Sequence, residues 1–192
     1  MSKEKFVFDN MGTKDLAKFS RFLMLKGTGW FLRENVEWLD HKSTSEWLGG
    51  LNIAKFSCHA IVDNKWDIMS GHDVSIKLNK EDALQQLIGR KESLMERFFK
   101  LMKKQDKLLI IRSNNVETKL EEIIFLHDVI SELRENRPFS LCVFQNVAFA
   151  DKNYGIESLE LYRTREPFYK KEQKKWVSYP EWKIAFATFA AR

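Results

Sequence analysis

Residues 107–144 read KLLIIRSNNVETKLEEIIFLHDVISELRENRPFSLCVF. Leu108 to Ile111 is an unbroken apolar run of strand length, the pattern of a strand buried on both faces. Ser113-Asn114-Asn115 reads as a loop, and Glu117 to Arg134 repeats apolar residues at helical spacing. Phe139 to Phe144 is a second apolar run. Strand, loop, helix and strand in this order predict a βαβ unit. Its strands run parallel because the helix carries the chain back before the second strand begins. Leu159 to Tyr162 adds a further candidate strand.

Upstream, residues 80–104 carry Leu84, Leu87, Ile88, Leu94, Met95, Phe98, Leu101 and Met102 on one broad stripe at helical spacing. Asn79 is the expected cap, with Glu81 and Asp82 in the first turn. Phe56 to Ile61 and Trp66 to Met69 read as short strands around the turn Asp63-Asn64-Lys65. Lys5 to Phe8 reads as a first strand, followed by a turn at Asp9-Asn10-Met11-Gly12. Thr13 is the expected cap of a helix through Leu16, Phe19, Phe22 and Leu23, closed by Gly27 and Gly29. Ser43 or Thr44 is expected to cap a short helix that ends at Gly49-Gly50. Pro180 suits the first turn of a final helix through Ile184 and Phe189. These elements predict one α/β domain over residues 1–192, in three layers, with a mostly parallel, Rossmann-like sheet and flanking helices. Ligands of such sheets sit beyond the carboxyl ends of the strands.

At 192 residues the chain is long enough to bury a full core, and 44% hydrophobic residues exclude a disordered chain. No apolar run has the length of a membrane span, and the opening MSKEKFVFDNMG lacks an apolar signal-peptide core, so a cytoplasmic protein without membrane association is expected. Two cysteines, Cys58 and Cys142, are too few for a disulfide framework and read as reduced and buried. No Cys or His spacing matches a metal site, and no cofactor motif is present. The net charge of +5 is concentrated in part at Lys170, Lys171, Lys174 and Lys175, beside Phe168, Tyr169 and Trp176. Cations interleaved with aromatic rings hold phosphates and stack bases, so this segment is the candidate nucleic-acid contact; a solvated loop is the commoner origin of such a run.

His72 and Asp73 follow Gly71 in a polar loop after a predicted strand. A histidine near a carboxylate has the chemistry of a general base, while the aspartate alone would cap a turn. His127-Asp128 is the same dipeptide in a different place: its spacing from Ile123, Ile124 and Ile130 puts His127 on the packed face of a helix. His59 follows Cys58, but successive strand residues point to opposite faces, so no thiol–imidazole pair is expected. Arg112 ends a buried strand, with Ser113 next to it, where a cation needs a carboxylate, a phosphate or a substrate. Gly12 lies in a predicted strand-to-helix turn where a missing Cβ admits a ligand.

Gly71-His72-Asp73, the helix with Glu96-Arg97-Phe98-Phe99, and Lys107 to Ser113 (KLLIIRS) resemble the papain-like cysteine peptidase family of bacterial domains. The resemblance is best over residues 70–144. It implies an early Ser-Leu-Gly-x-x-Cys turn, whose counterpart here is Asn10-Met11-Gly12-Thr13-Lys14-Asp15. The glycine is kept and the cysteine position is Asp15. A carboxylate does not replace the thiolate of a papain-type reaction. The resemblance therefore implies a hydrolase-like domain without its nucleophile, binding a peptide or small anionic ligand through His72, Asp73, Arg112, Ser113 and Gly12. Two alternatives stand beside it: a hydrolase or transferase using Asp15 and His72 as acid and base, and a nucleic-acid or partner-binding protein using the basic-aromatic segment.

Overall fold

The computed structural model describes residues 11–47, 57–71, 73–104, 107–114, 118–145, 155–163, 169–170, 175–176 and 187. The chain divides into two units, Met1–Lys103 and Lys104–Arg192.

In the first unit, Met11–Thr13 forms β1 and Leu16–Met24 forms α1. Gly12 and Thr13 are thus strand residues, and the expected turn there is replaced by pairing of Gly12 with Met69. With Thr13 in the sheet, the cap of α1 falls to Asp15, whose Oδ1 accepts the Lys18 N–H at 2.8 Å. The helix buries Leu16, Ser20, Phe22 and Leu23. It closes as the sequence predicts in place, with Lys26 taking the left-handed position (φ 53°) and Gly27 following at φ 71°. The Lys26 N–H reaches Leu23 O and the Gly27 N–H reaches Phe22 O, both at 2.9 Å, which satisfies two helix-end carbonyls. Phe22 then stacks on Trp30 at 5.2 Å and meets Trp66 at 5.7 Å, forming the aromatic centre of this unit's core.

Val36–Leu39 forms β2, His41–Trp47 α2, Ala60–Asp63 β3 and Ile68–Ser70 β4. The helix α2 begins before the expected caps, and Asp40 serves it by accepting the Ser43 N–H at 2.7 Å. That hydrogen bond holds the Asp40 carboxyl below its ordinary range. The sheet order is β1-β4-β3-β2, and every pair is antiparallel. This corrects the expectation of one mostly parallel sheet: among the described residues there are two larger sheets, and the N-terminal one is antiparallel. The link from β3 to β4 is hairpin-sized, and a link that short joins only antiparallel neighbours. The hairpin is tied by Asp63, fully buried, whose carboxylate accepts the N–H groups of Lys65, Trp66 and Phe31. Burial nevertheless pushes the Asp63 carboxyl up from 3.8, because desolvation outweighs these bonds.

Lys80–Met102 forms α3, capped by Asn79, whose Oδ1 accepts the Asp82 N–H at 2.9 Å. Its buried face is Ala83, Leu84, Leu87, Lys91, Met95, Phe98 and Met102, so one lysine lies on the apolar stripe.

In the second unit, Leu108–Asn114 forms β5, Leu120–Leu133 α4, Phe139–Gln145 β6 and Leu159–Arg163 β7. The order is β5-β6-β7, all parallel, so the βαβ unit read from residues 107–144 is present. Every residue of β6 is buried, as a central strand requires, whereas Leu108 to Ile110 of β5 are only half-buried. Ser113 and Asn114 continue β5 where a loop was expected. Tyr169–Lys170 (β8) and Lys175–Trp176 (β9) pair as an antiparallel ribbon. The expected strand at Lys5 to Phe8 lies outside the described residues, as does nearly all of the expected helix after Pro180. The observed fold is mixed α/β. Among the described residues no helix is long and apolar enough to cross a membrane.

Candidate functional site

The residues selected from sequence fall into separate groups. Gly12 lies in β1, where a Cβ would stand 3.0 Å from the Trp47 ring. Its missing side chain makes room for that indole. Asp15 caps α1 and donates its own N–H to the Asp67 carboxylate at 2.8 Å. Asp73 lies past the other end of β4: its carboxylate accepts the Ser70 hydroxyl and pairs with Lys91 Nζ at 2.9 Å, each side chain 1% exposed. Arg90 adds Nη1 at 3.8 Å from the same carboxylate and donates to the Asp73 carbonyl at 3.2 Å. Asp67 precedes β4 and Ser70 ends it, so the strand separates Asp15 from Asp73. His72 lies outside the described residues.

Cys58 is half-buried and bridges to Ser75 through its backbone. His59 places Nε2 3.0 Å from the Leu78 carbonyl and its ring edge-on to Trp38. Cys58 and His59 lie ahead of β3, outside any strand, so strand alternation does not govern this pair. Lys91 was missed by sequence reading, although a signal existed: spacings of seven from Leu84 and four from both Leu87 and Met95 put it on the stripe. A buried ammonium there needs a buried carboxylate, and Asp73 supplies it.

Arg112 and Ser113 belong to the second unit, in register with Val143 and Phe144 of β6. Asn114 pairs with Gln145, which pairs in turn with Arg163, so these three residues mark the carboxyl edge of the parallel sheet. Gln145 is fully buried. Its Oε1 accepts the N–H of Thr118, two residues ahead of α4, at 3.3 Å. That contact fixes the orientation of the amide, because only the oxygen can accept. Nε2 is thereby turned the other way, and it has no hydrogen-bond partner among the described residues. At the α4 N-terminus beside it, Lys119 in the cap position makes no side-chain cap bond. Sequence reading passed over Gln145 as the end of an apolar run.

His127 packs on Phe139 with ring centroids 5.0 Å apart, on the buried side of α4 as its spacing predicts. In the β8–β9 ribbon, Lys170 is in register with Lys175 and Tyr169 with Trp176, while Lys171 and Lys174 lie outside the described residues. Among the described residues no group of three or more His, Cys, Asp or Glu is placed to hold a metal ion. Comparison with protein-family models, curated proteins and solved structures finds no match to this chain.

Proposed function

We propose that the second unit binds a small carboxylate ligand, or the acidic group of a peptide, at the carboxyl edge of β5, β6 and β7. The observation that carries this reading is the buried Gln145 amide with its unpartnered Nε2. A buried donor without a partner costs about 1–3 kcal/mol, and native proteins keep such groups for a reason. A ligand oxygen at Nε2 removes that cost. The α4 N-terminus, where Lys119 makes no side-chain cap bond, favours the same charge. Ligands of parallel sheets collect at this edge. Glu121 and Glu122 in the first turn of α4 favour a singly charged carboxylate over a phosphate.

In this reading the chain is a divergent relative of papain-like cysteine peptidases that lacks the nucleophile. It would act in the cytoplasm, with the parallel sheet as the middle of three layers. Asp15, at the cysteine position, spends its carboxylate on a helix cap, which also argues against Asp15 as a catalytic acid.

Calorimetric titration with a panel of short carboxylates and acidic dipeptides tests the proposal. Gln145→Glu keeps the acceptor for Thr118 and, ionised at neutral pH, replaces the donor with a charge of the ligand's own sign. Binding should weaken by at least about ten- to hundredfold, the value of one hydrogen bond to a charged group, with like-charge repulsion added. Absence of binding by the whole panel, or equal binding by Gln145→Glu, refutes the reading. A second reading has the register of the β8–β9 ribbon in its favour, since paired basic and aromatic positions suit single-stranded nucleic acid. It requires affinity that falls steeply with salt, and a shallower slope once Lys170, Lys171, Lys174 and Lys175 are alanine.

A further inference from the structure

Ser158 immediately precedes β7, and its carbonyl accepts the Leu141 N–H at 2.7 Å, which pins its backbone to β6. Its Oγ lies 2.7 Å from His127 Nε2. On the other side of the ring, Nδ1 lies 3.3 Å from Asp128 Oδ1. A carboxylate only accepts, so Nδ1 carries the proton; in the neutral imidazole Nε2 is then the acceptor and the Ser158 hydroxyl donates to it. This is the tautomer that a serine nucleophile requires of its base. The ring is held by Phe139 and its side chain is 12% exposed. Ser158 itself is half-buried.

We propose that Ser158 and His127 form an acyl-transfer site that hydrolyses small uncharged carboxylic esters, with Asp128 as a positioning residue. Ser158 Oγ attacks the ester carbonyl while its proton passes to Nε2. The tetrahedral intermediate collapses as the C–O bond to the alcohol breaks, and the imidazolium gives its proton to the departing oxygen. Water then attacks the acyl-serine, losing a proton to Nε2, and the carboxylic acid leaves as Ser158 recovers its hydrogen. Asp128 and the exposed Glu157 beside the serine disfavour an anionic acyl group. The site is separate from the one proposed above: Phe139 begins β6 and Gln145 ends it.

The test uses the full chain, a fluorophosphonate and p-nitrophenyl acetate. The expected result is a phosphonyl adduct that maps to Ser158, and a burst of one p-nitrophenolate per chain. Ser158→Ala, which keeps the carbonyl used by Leu141, should abolish both. His127→Gln should slow labelling about a hundredfold or more, the lower range for losing a general base. Asp128→Asn should lower kcat about tenfold with KM unchanged, less than for a buried triad carboxylate because Asp128 is 67% exposed. An adduct elsewhere, no adduct on folded protein, or labelling of His127→Gln at the wild-type rate overturns the proposal. An unchanged kcat in Asp128→Asn removes Asp128 from it.

Discussion

Replacing Lys91 by Met tests whether the packing of α3 depends on the ion pair inside it. Lys91 Nζ and the Asp73 carboxylate are 2.9 Å apart and each side chain is 1% exposed. A buried pair contributes little net stability, because desolvation offsets the attraction, but deleting one partner strands the other and costs about 3–5 kcal/mol. Arg90 is 3.8 Å from the same carboxylate and 38% exposed, so it offsets part of the loss. The Ser70 hydroxyl continues to donate to Asp73. The expected cost of Lys91→Met is therefore about 3 kcal/mol, the lower end of that range. Asp73→Asn, which strands the ammonium instead, should cost a similar amount. Lys91→Met combined with Asp73→Asn removes both charges and keeps an acceptor for Ser70. It should lie within about 1 kcal/mol of wild type, far from the sum of the singles, because contacting residues are not additive. Urea unfolding followed by tryptophan fluorescence reports this, since Trp30, Trp38, Trp47 and Trp66 of the six tryptophans lie in the first unit. A loss below about 1 kcal/mol for Lys91→Met, or simple additivity in the double variant, would refute the reasoning.

Asp15→Ala should lower stability by about 1 kcal/mol, whereas Asp15→Asn, an equally good cap, should fall within a few tenths of wild type; equal losses in urea titrations would show that the charge of Asp15, and not its cap, is what matters. For Asp63 the sign follows from burial. Its folded carboxyl titrates above the ordinary 3.8, so between 3.8 and that raised value the folded state holds more protons than the unfolded state. Its contribution to stability therefore falls as pH rises through this window and is level below it. The stability of wild type relative to Asp63→Asn should accordingly grow as pH is lowered from neutral to 3.8, and a decline across that range in urea midpoints would contradict the assignment.

The two long helices and the βαβ unit were legible because each repeats its period many times within one segment. In α3 the stripe runs from Leu84 to Met102, and Asn79 caps it where the sequence places the cap. The hairpin of the antiparallel sheet was legible, but its β1 edge was not, because Gly12 pairs with Met69, far along the chain, and nothing local in Met11-Gly12-Thr13 announces a partner. Once those residues are drawn into a strand, the cap moves from Thr13 to Asp15, and the residue that looked like a displaced nucleophile becomes a backbone acceptor. The same logic governs the chemistry. Residue type shows what a side chain is able to do, and only the fold shows how much of that capacity the protein itself consumes. Asp15 and Asp73 are drawn on by a helix cap and an ion pair, and Gly12 by a tryptophan ring. Gln145 keeps a donor unpaired among the described residues, and Ser158 meets His127 across a sequence separation of 31 residues. Neither signal is contained in a local motif. Capacity left over after folding therefore points to the second unit as the place to look for a ligand and for a nucleophile.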